Sequence, residues 1–265
     1  MNKILITAGI HGNEIGSIFT AREIKGWLEG RGIKEVEVLA GVNLEAIESR
    51  QRENPIDDKD LNRIFPGDKD GTHSEVIAHE IFQKAKKFDA VIDLHTYGDE
   101  SKCIPYMLTK LEYDFNEDLC KKVGLKYGVQ SLGAEGQLFI ELSKIGIPSM
   151  IIEAGGANWL RDEIDVVKSA LKRFIDGNEP SRDVQFIREY DRFNPDGQGE
   201  FEPDVELEEI IKEDEIIGYL DSEPVKSPWD GIVLGYKTGG VYDPEEMSLV
   251  TIGFGNSDQD FSVLL

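Results

Sequence analysis

His11 and Glu14 stand three residues apart in Ala8-Gly9-Ile10-His11-Gly12-Asn13-Glu14, directly after the apolar run Ile4-Leu5-Ile6. That spacing lets an imidazole and a carboxylate converge on one point at a strand-to-helix turn. Both are donor types that zinc accepts, and a catalytic zinc needs a third protein ligand plus an open position for water. His95 offers the third, closing the β-branched run Ala90-Val91-Ile92-Asp93-Leu94-His95. Asp93 is a carboxylate able to orient a ligating imidazole; which group it serves is open in the sequence. Glu153 leaves the apolar run Met150-Ile151-Ile152 toward Ala154-Gly155-Gly156. Partial desolvation there raises a carboxyl pKa toward neutrality, as a general base requires. Asn62 and Arg63 form a fork of donors suited to a carboxylate, and Arg52 is a second cation in the same polar stretch.

Each residue also has an ordinary reading. His11 is then a turn histidine, Glu14 a helix-initiating acid at the positive helix end, and His95 a strand-end histidine bonded to backbone. Glu153 is then one of 52 acidic residues, and the arginines are surface cations. The chemical reading prevails because the groups fall at equivalent strand ends, where open α/β sheets bind ligands.

The elements that must position these groups follow from the hydrophobic pattern. A strand over residues 4–6 precedes a helix marked by Ile15, Ile18, Phe19, Ile24, Trp27 and Leu28. Residues 35–42 form a second strand, and residues 43–60 read as a long polar loop of the kind that is usually functional. Thr72 or Ser74 caps the next helix, on which His73 and His79 read as cap-region and helix-face residues rather than ligands. Strands follow at 90–95 and 104–108, then a helix over 112–127, a Gly-rich segment, a strand leading into a turn at 147–156, and a helix over 159–174. Strands alternating with helices predict a mixed, mostly parallel sheet flanked by helices.

From about Ser181 the pattern changes to short alternating runs with turns at Asn194-Pro195-Asp196-Gly197, Asp230-Gly231 and Gly239-Gly240. This divides the chain into residues 1–178 and an all-β domain over 182–265. The latter resembles the half-barrel of lipoyl and biotinyl carriers, yet neither Lys226 nor Lys237 sits in a carrier-lysine setting. The β domain is therefore expected to gate substrate or to mediate oligomerisation.

The net charge of −23 opposes nucleic acid and anionic membrane as partners. No apolar run approaches the roughly 18 residues of a membrane span. Cys103 and Cys120 lack zinc-ribbon or redox spacing, and the N-terminus carries no secretory pattern. These features predict a cytoplasmic protein with free thiols. A homo-oligomer is left open.

Taken together, Gly-Ile-His11-Gly-Asn-Glu14, Asp60-Leu-Asn62-Arg63-Ile-Phe, Asp93-Leu-His95-Thr and Ile-Glu153-Ala-Gly resemble the succinylglutamate desuccinylase/aspartoacylase family, zinc hydrolases related in fold to zinc carboxypeptidases. The resemblance implies one zinc per chain on His11, Glu14 and His95, with Glu153 as the catalytic carboxylate and Asn62 and Arg63 on a substrate carboxylate. It also implies an arginine that polarises the scissile carbonyl, matched by Arg52 with Arg50 as the neighbouring alternative. The implied activity is hydrolysis of the amide of an N-acyl amino acid or a similar small carboxylate-bearing amide. A zinc carboxypeptidase acting on peptides, a non-catalytic zinc-containing carboxylate binder and a metal-free α/β scaffold whose β module is the working part are the competing readings. Thr96-Tyr97-Gly98 and Ala154-Gly155-Gly156 match none of the members of defined specificity, so acyl group and amine stay unassigned.

Overall fold

A computed structural model describes residues 3–98, 100–133, 135–156, 161–244 and 248–254. Four parallel strands form its centre: β1 (Ile4–Ala8), β2 (Val36–Ala40), β3 (Ala90–His95) and β6 (Ser149–Gly156), in the spatial order β2-β1-β3-β6. The long strand β4 (Ser101–Thr109) runs antiparallel beside β6, and its second half also carries the short parallel strand β5 (Tyr127–Gln130). The sheet is thus mixed and largely parallel.

Side-chain alternation splits this sheet between two cores. Ile4, Ile6, Ile92, Leu94, Met150 and Ile152 pack against the helices α1 (Ile15–Arg31), α4 (Asp114–Val123) and α6 (Arg161–Ile175). On the other face, Leu5 and Val91 meet α3 (His73–Ala85) and α5 (Leu138–Lys144). Thr7, Asp93 and His95 continue the Leu5/Val91 side of their strands, and all three are buried. The chain leaves β1 toward β2 on one side, while β3 pairs on the other. The carboxyl ends of β1 and β3 therefore flank a topological switch point, the place where open α/β sheets form their crevice.

Residues 43–60 are not wholly loop. They contain the short helix α2 (Leu44–Ser49), too brief to show periodicity, and a 3-10 turn follows at Leu61–Arg63. Gly12 explains why α2 sits where it does: a methyl group at residue 12 would run into the backbone carbonyl of Ala46. The helix expected to reach residue 127 stops at Val123 with Gly124 in the left-handed conformation, φ +69°, which frees Tyr127 to pair in β5. The Gly-rich segment of Gly128, Gly133 and Gly136 begins in β5 and leads into α5. The β6 strand continues through Gly155 and Gly156, because β4 pairs with it at Cys103 and Lys102. Glu153 accordingly lies within a strand rather than beyond its end. Trp159, the expected start of the last helix, lies outside the described residues.

The C-terminal region is all β. Strand β7 (Gln185–Ile187) pairs parallel with β5, while β8 (Glu189–Phe193), β13 (Gly231–Lys237) and β15 (Val250–Phe254) extend the main sheet antiparallel from the first half of β4. Strand β10 (Ile210–Ile211) joins β13. A four-stranded antiparallel sheet, β12-β11-β9-β14, is built from Glu223–Lys226, Ile216–Leu220, Gly199–Pro203 and Val241–Tyr242. Phe201, Ile217, Val233, Tyr242 and Val250 form the core between the two sheets. Lys237 is fully buried, with Nζ 2.8 Å from Glu100 Oε2.

Candidate active site

His11 and Glu14 occupy the turn between β1 and α1, and His95 ends β3. One donor atom from each residue lies within 4.8 Å of the others, and all three side chains are buried. The Glu14 carboxylate sits between the imidazoles. Oε1 is 2.6 Å from His11 Nδ1, Oε2 is 2.9 Å from His95 Nδ1, and Oε2 also accepts from the Thr96 N–H at 3.2 Å. The rings meet edge to face, with centroids 5.0 Å apart.

The outer nitrogen of each imidazole rests on an aspartate. His95 Nε2 is 2.8 Å from Asp93 Oδ2, and His11 Nε2 is 3.0 Å from Asp60 Oδ1. Asp93 is itself held by the Thr7 hydroxyl at 2.7 Å. This answers what Asp93 serves. Two Nδ1 atoms and a carboxylate facing one point, each ring fixed from behind by an acid, match the donor set and ligand orientation of a metal centre. The trio can hold a metal ion.

Electrostatics follow from the packing. Burial pushes the Glu14 carboxyl upward, but the two adjacent imidazoles outweigh it and hold the group well below the usual carboxylate range. Burial pulls both imidazoles down, while Glu14 with Asp60 raises His11, and Asp93 with Glu14 raises His95 further. Asp60, absent from the sequence-derived site except as the first letter of its motif, is the hub of the cationic side. Despite burial it is held low by its hydrogen bond and charge interaction with His11 and by the charges of Arg52 and Arg63.

Arg52 Nη2 donates to Asp60 Oδ2 at 2.9 Å, while Nη1 lies 3.7 Å from Glu14 Oε1. Arg50 instead closes α2 with φ +55°. Arg63 Nη1 donates to the Asn62 carbonyl at 2.8 Å and lies 3.9 Å from Asp60 Oδ2; its side chain is half exposed. Asn62 is buried, and its Oδ1 accepts from the Leu138 N–H at 3.1 Å, which leaves the amide NH2 as its donor end. Buried Asn43 steadies the His11 turn, donating to the Ile10 carbonyl at 3.0 Å and accepting from Asn54 at 2.8 Å. A polar stretch gives no sequence signal for this pair.

Glu153 is the Cα partner of His95 across β3 and β6, and of Tyr106 across β6 and β4. Its carboxyl is raised, first by burial and then by Glu14, against the opposing pull of His95 and Arg192. Beyond it the Tyr97 hydroxyl lies 3.2 Å from both Tyr106 and Thr251. Sequence reasoning missed these hydroxyls and Arg192, since their residues are brought together only by the pairing of β4, β13, β15 and β8.

The profile of the succinylglutamate desuccinylase/aspartoacylase catalytic domain matches residues 1–177. The N-alpha-acetyl-L-2,4-diaminobutyric acid deacetylase of Halomonas elongata is 28% identical over 182 residues, 64% of this chain and 53% of the relative. The match thus spans about half the length of that curated protein. Among solved structures, the product-bound ectoine utilization protein EutE (DoeB) of Ruegeria pomeroyi superposes with a TM-score of 0.82 at 19% identity, covering 96% of this chain and 86% of the other. An aspartoacylase family protein of Mesorhizobium loti gives 0.79 at 21% identity over the same shares. The chain belongs to the succinylglutamate desuccinylase/aspartoacylase family of amide hydrolases.

Proposed function

We propose that this protein is a zinc-dependent deacylase that hydrolyses the amide of a small N-acyl amino acid. The observation that carries the reading is the buried His11–Glu14–His95 trio with Glu153 paired directly beside His95. His11, Glu14 and His95 would hold the zinc. When bound, zinc supplies Lewis acidity that acidifies water and polarises a carbonyl.

The chain's own groups account for the remaining steps. Glu153, its pKa lifted by burial, takes a proton from the attacking water and returns it to the departing amine. Arg52, anchored on Asp60, directs its guanidinium to the oxygen on which charge develops. The NH2 of Asn62 and the guanidinium of Arg63 hold the substrate carboxylate. These cations also supply local positive charge for an anionic substrate on a protein of net charge −23. The products are a carboxylate and a free amine.

Residues 1–178 act as the catalytic domain and 182–265 as a β domain that narrows its entrance. The end of the family match at residue 177 supports this division. No helix among the described residues is long and apolar enough to cross a membrane. The two buried free thiols support a reducing cytoplasm. The test is release of free amine from N-succinyl, N-acetyl and N-aspartyl amino acids, N-α-acetyl-2,4-diaminobutyrate and blocked dipeptides, with Glu153→Gln as the blank. Turnover of an acyl amino acid, lost in the blank, is expected. Turnover confined to the dipeptides would replace the reading with a peptidase, and zinc binding without any turnover would replace it with a binder.

A further inference from the structure

The chain that follows His95 joins the trio to the C-terminal region. Its Thr96 N–H donates to Glu14 Oε2 at 3.2 Å. The Tyr97 ring then lies on the backbone of β13, where a methyl at Gly235 would come within 2.6 Å of it. Its hydroxyl is 3.2 Å from Thr251 Oγ1 on β15. Glu100 is held twice by the end of β13. Its carbonyl accepts the Thr238 N–H at 2.7 Å, and its Oε2 lies 2.8 Å from Lys237 Nζ. The following turn also approaches this carboxylate, since a methyl at Gly240 would come within 2.6 Å of Glu100 Oε2.

Lys237 and Glu100 form an uneven pair. The lysine side chain is 0% exposed and that of the glutamate 59%, and among the described residues Glu100 is the one acid on the buried ammonium. Replacing a buried ion pair by apolar groups often leaves a fold equally stable or more so. Stability by itself therefore gives no reason for a charge at this position. What the charge fixes is a conformation. Glu100 has φ +61°, a left-handed backbone that a glutamate seldom adopts and that persists where the surroundings impose it. Lys237 and Thr238 grip its side chain and its carbonyl together. The next residue, Ser101, enters β4 as the partner of Lys237 on β13, so the grip also marks where β4 begins.

We propose that Lys237 is a positioning residue for the candidate metal centre: by pinning Glu100 it holds the stretch that presents the Thr96 N–H to Glu14. The C-terminal β region then helps to shape the trio, beyond narrowing the entrance. Lys237 acts through Glu100 and not by touching the trio. The inference rests on the reading of His11, Glu14 and His95 as metal ligands.

The test uses the full chain as wild type, Lys237→Met, Glu100→Gln and the double variant. Lys237→Met keeps an unbranched side chain and removes its charge, so the urea unfolding midpoint of metal-free protein is expected to stay near wild type. Hydrogen exchange at the Thr96 amide of metal-free protein, read by NMR, is expected to quicken roughly 2- to 30-fold in each variant. The dissociation constant for cobalt(II), read from its visible absorption, is expected to rise over the same range, with shifted bands because Glu14 is held less firmly. The double variant should be no worse than Lys237→Met, since both changes break one contact. Wild-type Thr96 exchange and a wild-type cobalt(II) spectrum in a Lys237→Met chain of wild-type stability would overturn the inference and leave the metal-ligand reading intact. Losses that add in the double variant would also overturn it, since the two residues would then act separately. Quicker Thr96 exchange in the variants of a chain that binds no cobalt(II) even as wild type would sink the metal-ligand reading and leave the hold on Thr96 standing. If Lys237→Met does not fold, the same readouts on Glu100→Gln, whose side chain is mostly exposed, decide between these outcomes.

Discussion

Asp93 and His95 stand two residues apart on β3 and their side chains meet, with Asp93 Oδ2 2.8 Å from His95 Nε2. The imidazole thereby turns its Nδ1 to Glu14, while the Thr7 hydroxyl on the neighbouring strand fixes the other oxygen of Asp93. Ring orientation at His95 is set by two strands rather than by one.

Asp93→Asn keeps the shape but removes the charge behind the ring. Metal affinity is expected to fall about 10- to 100-fold, as for other outer partners of ligating histidines. Competition with a zinc-specific chelator measures it, and an unchanged dissociation constant would show that Asp93 serves stability alone.

On the proposed reading, Glu153→Gln removes the proton carrier and leaves the trio in place. A loss of about 10²–10⁴ in kcat is expected, with metal content, measured by atomic emission, at the wild-type level. A variant that lost its metal would instead place Glu153 among the residues that keep the ion in place.

Arg52 and Arg50 separate cleanly by geometry. Arg52→Gln is expected to lower kcat by about 10²–10³, the cost of one oxyanion donor. Arg50→Gly should match wild type in steady-state kinetics and relieve a positive φ at the end of α2. The opposite ranking would move the carbonyl-polarising role to Arg50.

Proton linkage at the trio has a defined sign. In the metal-free protein both imidazoles lie above 6.5, so their contribution to stability is full below that value and is lost as pH rises through their raised folded pKa values. Glu14 and Asp60 are depressed, so their contributions hold above their ordinary values of 4.5 and 3.8 and vanish only as pH falls through the lowered ones. With the proposed ligands, a bound metal would displace the imidazole protons. The gain in Tm on zinc loading should therefore grow between about pH 6 and about pH 8, as scanning calorimetry of loaded and stripped protein would record. A gain that shrank over that range would contradict the assignment of the two histidines as ligands.

Gly12→Ala tests the seat of the turn. Overpacking against Ala46 is expected to cost about 1–3 kcal/mol and to lower metal affinity, because Gly12 directly follows His11 and α2 carries the chain on to Arg52. Urea unfolding and chelator competition read the two effects separately.

Local chemistry made much of this protein legible in one dimension. The β-branched runs that end at His95 and enclose Glu153 announce buried parallel strands, because such residues pack well only on a pleated, covered sheet. His11 and Glu14 are three residues apart across the tight turn that precedes α1, closed by the Glu14 N–H on the His11 carbonyl, so their convergence is largely a local matter. What needed the tertiary structure is whatever depends on strand order. His11 and His95 are neighbours because β1 lies beside β3, and Glu153 joins them because β6 pairs there next. Asp60 becomes the hub of the arginines only once its loop folds across His11. Arg192 comes to pair with Thr251 across β8 and β15, in a region whose pattern records alternation but not which edge it joins. Hydrophobic periodicity specifies the face a residue presents, and long-range pairing decides what that face meets.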